Sequence, residues 1–328
     1  MRAVLVDDSG SMSWGEAETP SPGAGEVLIR VAATAINRAD LMQRRGMYPP
    51  PPGASSIIGL ECAGIVEAIG EGVTGLASGM PVCALLAGGG YAEYAVAPAT
   101  SVLPVPQGLS FTEAASLPEV YATAWLNLFM EAGLAEGERV VLHAGASGVG
   151  TAGIQLCKAF GSPCFVTAGA DDKIERCLEL GADAGANRHG EGMWDAAREF
   201  AGDTGVDVIL DPVSGGYFDE NLKLLGLGGR LVLIGLMSGA RTEANLALLM
   251  TKRLRVIGST LRARPNAEKG AVMGQLRDRV WPAIASGTIK PVIEKVYPIA
   301  EVEDAYALVE SDATFGKVVL EVDSTLTA

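Results

Sequence analysis

Apolar positions along this chain follow two rhythms. Through the first hundred residues they form short runs broken by glycine and proline, so that RAVLVDD, EVLIRVAATAI, CAGIVEAIG, PVCALL and YAEYAVA read as strands between turns such as SPGAGE and SGMP. One short helix, RADLMQRRG, interrupts them and stops at Gly46. Tyr48 and four prolines at 49–52 follow, and because prolines lack ladder donors this stretch is expected to be an ordered loop. Ser110 then opens a helix through a capping box with Glu113. Pro118 interrupts it, and PEVYATAWLNLFMEAG is predicted to continue as a second helix ending at Gly133.

Beyond that point the rhythm changes. RVVLH, CFVTA, VDVILD, GRLVLIGLM and LRVIGSTL are near-continuous Val/Ile/Leu strands, with a shorter extended piece, AGAN. They alternate with the helical segments TAGIQLCKAF, DKIERCLELG, MWDAAREFAG, FDENLKLLG and NLALLMTKR. Such alternation predicts a parallel sheet buried on both faces, so residues 119–288 read as an α/β domain. A long helix over 267–285 leads out of it. The tail holds VIEKVYP, a helix EVEDAYALVE and a strand GKVVLEV, pieces that would join the β-rich first domain and make it discontinuous, residues 1–118 and 289–328. Residues 323–328 read as a loose end.

Composition narrows the function more than the fold. With a net charge of -14 the chain is a poor match for a phosphate backbone, so no nucleic-acid partner is expected. No apolar run approaches the ~20 residues of a membrane span, and the apolar start of MRAVLVDDSG is too short for a signal peptide; a soluble cytoplasmic protein is expected. The five cysteines contain no C-x-x-C pair, poor material for a disulfide framework or a thiolate cage. There are two histidines, His143 and His189. A three-histidine metal site is therefore impossible, and both read as incidental to the chemistry.

The chemistry-bearing stretch is RVVLHAGASGVGTAGIQLCKAF, residues 139–160. Gly145, Ala146, Ser147, Gly148, Val149 and Gly150 match G-x-G-x-x-G with serine at the middle glycine. A strand precedes the loop, a helix follows, and a second strand arrives about 20 residues on. Helix-terminal amides favour an anion, and glycines admit a diphosphate to the backbone. At the end of the second strand Thr167, Ala168 and Gly169 are uncharged, with Lys173 and Arg188 available to a 2′-phosphate. This favours NADPH, and Asp171 and Asp172 close by leave NADH open.

At this point the chain resembles the medium-chain dehydrogenase/reductase superfamily, and within it the zinc-independent quinone oxidoreductases, most closely the p53-inducible type. The likeness rests on INRADLMQRRGMYPPPPGAS, GLECAG, LPEVYATAW, HAGASGVGTAGIQL, VTAGADDK, IGLMSG and FGKVVLEV. It implies a GroES-like substrate domain, a Rossmann cofactor domain and a cleft between them. It also implies Asn37 and Tyr48 at the reacting centre and Asn37 with Thr123 beside the nicotinamide. The diphosphate would lie on residues 147–150, and the adenosine phosphate end on Gly169 and Lys173. Gly235, Leu236, Met237 and Leu261 would line the nicotinamide side, closed over by Gly316 and Lys317. Where zinc members carry a cysteine and a histidine, this chain has Asn37 and Leu60, which cannot complete a metal site; no zinc and no flavin are expected.

Several of these residues carry a plainer reading as well. Tyr48 packs on prolines, Asn37 caps a helix, Lys173 is a solvated helix residue, and Arg262 and Arg264 are either surface charges after a strand or groups that reach a phosphate. The function implied is quinone reduction by direct hydride transfer from NADPH. The alternatives are reduction of α,β-unsaturated carbonyls, and a non-enzymatic NADPH-binding role. The resemblance also suggests a homodimer formed through cofactor-domain sheet edges; LVLIGLM, apolar throughout, fits such an edge or a buried central strand.

Overall fold

The computed structural model describes all 328 residues and divides into two units, residues 1–122 with 261–328, and residues 123–260.

In the second unit, six parallel strands lie in the order Ala184–Asn187, Cys164–Ala168, Val140–Leu142, Val206–Asp211, Leu225–Leu233, Arg255–Gly258. Strand order reverses between Val140–Leu142 and Val206–Asp211, and in open sheets of this kind ligands bind past the carboxyl ends of the strands at that reversal. The glycine turn follows one of these two strands and Asp211 ends the other. Val141, Phe165, Ile209, Leu222 and Leu231 form the core beneath. This is the doubly wound α/β arrangement that the alternation implied.

One detail of this unit differs from expectation. The helix Phe218–Leu224 passes straight into the strand at Leu225, four residues before the strand read from the sequence. The exchange is abrupt because Lys252 Nζ donates to the carbonyls of Leu222, Lys223 and Leu225, which the ending helix leaves without partners. In addition, the sheet edge is Arg255–Gly258, where Val256 is exposed. Of the two readings of LVLIGLM the central strand holds for its LVL part, and 234–237 leave the sheet.

In the first unit, a seven-stranded sheet runs Ile293–Pro298, Lys317–Glu321, Glu26–Ala35, Glu61–Ile69, Pro81–Leu85, Val102–Pro104, with Tyr94–Pro98 also pairing Glu26–Ala35. The C-terminal strands thus sit beside the N-terminal ones. A separate hairpin pairs Arg2–Val6 with Met12–Glu16, and its turn is closed by Asp7 Oδ1, which accepts from Ser9 N and Ser11 N. The second strand of this hairpin and Val102–Pro104 were not read from the sequence.

The later junction falls at 261 and not at 289. The helix Asn266–Gln275 belongs with the first unit: a Cβ on Gly270 would lie 2.9 Å from Thr100 Cβ, and Trp281 Nε1 donates to Pro104 O at 2.9 Å. The helical stretch read as 267–285 also widens into a π turn at Leu276–Val280 just before Pro282, a residue without an N–H to offer.

Candidate active site and dinucleotide-binding loop

The glycine loop is built so that no Cβ fits at its two ends. A Cβ on Gly145 would lie 2.7 Å from Val166 Cβ, and one on Gly150 would run into the carbonyl oxygens of Ala144 and Gly145. Ser147 is the N-cap of the helix Gly148–Ala159, its Oγ accepting from Gly150 N at 3.0 Å. The serine is exposed and keeps its own O–H to donate, while Gly148 and Val149 are half-buried at the first turn. A cradle closed to side chains at the positive end of a twelve-residue helix fits the diphosphate of a dinucleotide.

Beneath the turn a polar chain ties three strand ends together. Asp211 is fully buried and accepts from Val213 N, Ser214 N and Asn221 Nδ2 at 2.7, 2.9 and 2.9 Å. Because the Asn221 amide nitrogen faces that carboxylate, its oxygen faces His143 Nε2 at 2.8 Å, so Nε2 carries the proton and Nδ1 accepts from Thr167 Oγ1 at 3.1 Å. Burial lowers the His143 pKa, and the edges of Trp194 and Tyr217 pack around the ring. The residue that read as incidental is thus a structural link. Past Asp211, Ser214 stands at φ 60 and donates to Gly235 O at 2.6 Å. A Cβ on Gly235 would lie 2.7 Å from Pro212 O, and Leu236 and Met237 beyond it are exposed.

At the end of Cys164–Ala168, the Arg188 guanidinium lies against Gly169: a Cβ there would be 3.4 Å from Arg188 Nε. Arg188 Nε donates to His189 Nε2 at 3.2 Å, and Asn187 Nδ2 donates to Asp171 Oδ1 at 2.9 Å. Of the charged residues near this turn, the arginine faces Gly169 and Asp171 is bound to its neighbour. Asp172 and Lys173 lie in the first turn of the helix Asp171–Leu180. Thr123 is buried, its carbonyl accepting from Asn127 Nδ2.

In the first unit Asn37 stands at the N-cap of the helix Arg38–Arg44, and its backbone N–H is held by Asp40 Oδ2 at 2.8 Å. The amide is committed elsewhere. Oδ1 accepts from Lys317 Nζ at 2.6 Å, and Nδ2 donates to Glu61 Oε1 at 2.9 Å and Ala35 O at 3.3 Å. Lys317 Nζ reaches Glu61 Oε1 at 2.7 Å and Ile36 O at 2.8 Å, and Glu61 Oε2 accepts from Glu119 N. The lysine read as closing over a cofactor is therefore an interior ammonium with three acceptors. Gly316 beside it has φ 86, a left-handed turn that a side chain would block against Val292 O.

Asp40 also accepts from Tyr91 Oη at 3.1 Å, but its Oδ1 is buried without a partner, and burial pushes its pKa up to about 7. Tyr48 is half-buried, with its phenol pKa raised by burial. Against it lies Arg262, only 5% exposed and thus no surface charge. Leu261 is buried beside it, and Arg264 pairs with Glu268 at 3.1 Å. Leu60 is buried, and Cys62 is a buried strand thiol whose pKa burial raises.

Comparison with known proteins agrees with this geometry. Residues 23–107 match the alcohol dehydrogenase GroES-like domain and residues 148–275 the zinc-binding dehydrogenase family. A quinone oxidoreductase of Rattus norvegicus is 32% identical over 98% of this chain and 97% of its own. Among solved structures, a mycobacterial protein complexed with NADPH superposes with TM-score 0.85 at 30% identity, covering 98% of this chain and 100% of that one. The CurK enoyl reductase gives TM-score 0.85 at 28% identity over 98% of both. The chain belongs to the quinone oxidoreductases of the medium-chain dehydrogenase/reductase superfamily. It is an NAD(P)H-dependent oxidoreductase acting on a small molecule, with a GroES-like domain and a Rossmann domain.

Proposed function

We propose that this enzyme reduces quinones with NADPH by direct hydride transfer and without zinc. The observation that carries the reading is the cluster around Asn37. Where zinc members place a cysteine, an amide is held between an ammonium and a carboxylate, Lys317 lying within 2.7 Å of both partners. That donor set is already satisfied by a cation of the chain's own, and it offers no thiolate or imidazole to a metal.

Bound reduced nicotinamide supplies the hydride. The glycine loop would hold the diphosphate, and Arg188, lying against Gly169, would supply a positive charge for the 2′-phosphate that distinguishes NADPH. Asn37 Oδ1 keeps a second lone pair beyond its bond to Lys317 and orients what lies beside it. Tyr48, whose phenol stays protonated at neutral pH, donates a hydrogen bond to the acceptor oxygen. A quinone suits this site because its carbonyl is already electrophilic and its product takes a proton from water. Reduction of an α,β-unsaturated carbonyl is the second reading, favoured by the likeness to an enoyl reductase.

Steady-state oxidation of NADPH and NADH against a panel of quinones and enones tests this. Quinones turning over fastest with NADPH supports it. An enone outpacing every quinone moves the assignment to the second reading, and no turnover with any acceptor overturns both. We also propose a cytoplasmic homodimer formed through Arg255–Gly258. Its support is the exposed Val256 on that edge and five buried free cysteines. Light scattering giving a monomer mass would contradict the dimer.

A further inference from the structure

Arg262 is a buried cation with no carboxylate of its own. At 5% exposure its guanidinium makes three hydrogen bonds to three separate stretches of chain: Nε to Ala87 O at 2.8 Å, Nη1 to Tyr48 O at 3.2 Å and Nη2 to Gln43 Oε1 at 2.7 Å. Gln43 Nε2 in turn donates to Ser56 O, at the far end of the proline loop that begins with Tyr48. The guanidinium carbon lies 5.3 Å from the Tyr48 ring centroid. Next to it Lys269, 6% exposed, donates to the Arg262 carbonyl, so a second buried cation adds to the local positive potential.

An uncompensated interior charge is costly, and neutral acceptors offset only part of that cost. Here the charge is placed where it fixes one side chain. Three of the five N–H donors tie Tyr48, the loop's first residue, to Gln43 and Ala87, and the ring face of Tyr48 takes the rest of the field. The charged groups acting on the Tyr48 phenol are Arg262, which favours its ionised form, and Glu119, which opposes it along with burial. Those acting on Arg262 are Tyr48, Asp40 and Lys269.

We propose that Arg262 is the positioning residue for Tyr48, holding the loop's main chain in place and polarising the phenol so that it donates a stronger hydrogen bond to the acceptor oxygen. This rests on the assignment of Tyr48 to that oxygen. A bound reduced dinucleotide would supply the hydride, and addition at the acceptor carbon would push the displaced π pair onto oxygen. Tyr48 holds the resulting oxyanion until water supplies its proton. A phenol next to a guanidinium shares its hydrogen more readily at that moment, when negative charge has developed.

The test is a double-mutant cycle of Arg262→Met and Tyr48→Phe, each variant checked by thermal melting and read in two ways. With a quinone and an alkenal as acceptors, Arg262→Met lowers kcat about tenfold or more while KM for NADPH is unchanged. In the Tyr48→Phe background the same substitution has little further effect. Independently of turnover, NMR titration of ring-labelled tyrosine, with Tyr48 assigned by its loss in Tyr48→Phe, shows the phenol pKa rising by about half a unit or more in Arg262→Met. Arg262→Lys, which keeps the charge and loses the fork, serves if the methionine variant does not fold; it retains the phenol titration and loses part of kcat. Equal losses in both backgrounds, or a phenol that does not move, overturn the proposal. A wild-type chain that oxidises no NADPH sinks the functional reading alone, because the phenol titration still judges Arg262.

Discussion

Lys317 Nζ lies 2.7 Å from Glu61 Oε1, with the lysine side chain 4% and the glutamate 0% exposed. A pair this deep is held by its geometry: Ile36 O and Asn37 Oδ1 complete the ammonium, while Asn37 Nδ2 and Glu119 N complete the carboxylate. Breaking one side leaves the other charge stranded in a medium that solvates it poorly.

Lys317→Met is accordingly expected to cost about 3–5 kcal/mol of stability, the usual loss when half of a buried pair is removed. Glu61→Gln combined with Lys317→Met removes both charges and is expected to recover most of it. Urea unfolding of both variants checks this, and a double variant as unstable as the single one would contradict it.

At the glycine loop the expectation is steric. Gly150→Ala places a methyl group against two carbonyl oxygens that the turn cannot move without opening. Dinucleotide affinity, read by fluorescence titration, should fall about tenfold or more, in line with overpacking costs of ~1–3 kcal/mol. Ser147→Ala removes the cap bond to Gly150 N together with the exposed O–H, and loss of the cap should cost about 1 kcal/mol of stability.

The role proposed for Arg188 is the choice between NADPH and NADH. Arg188→Ala should lower kcat/KM for NADPH about tenfold to a hundredfold, the range for a charge-assisted hydrogen bond, and leave NADH within about twofold. Parallel kinetics with both cofactors decide it, and an equal loss for both would contradict the assignment.

The pH dependence of stability carries a signature of Asp40. Its carboxyl is raised by burial to about 7 in the folded protein, against ~3.9 for an exposed aspartate. Between those values the native state binds a proton that the unfolded chain has released, so stability falls as pH rises through the window and levels off above it. Asp40→Asn has no such proton. The stability of wild type relative to Asp40→Asn should therefore decline from about pH 4 to about pH 7. Parallel curves across that window would contradict the assignment.

What could be read from the sequence was local. The strand, glycine turn and helix of residues 139–160 lie in one short stretch, so their pattern and their ligand chemistry show together. The alternation of strands and helices likewise showed the α/β unit, although not which strand forms its edge. What escaped was non-local. Arg262 could be read as solvated because its acceptors at Gln43, Tyr48 and Ala87 are 219, 214 and 175 residues away. Lys317 hid its role in the same way, 280 residues from Asn37. The helix Asn266–Gln275 looked continuous with the α/β unit because its partner at Thr100 lies far upstream. The strand Met12–Glu16 is short and contains a glycine, which masks its alternation.

The proposal stands on Asn37, Glu61 and Lys317 occupying the place that a catalytic metal would take. It is tested most directly by following NADPH oxidation with a quinone before and after exhaustive dialysis against a chelator, with metal content measured on the same samples. An unchanged rate and no stoichiometric zinc are expected. A rate lost on chelation and restored by adding zinc would contradict it.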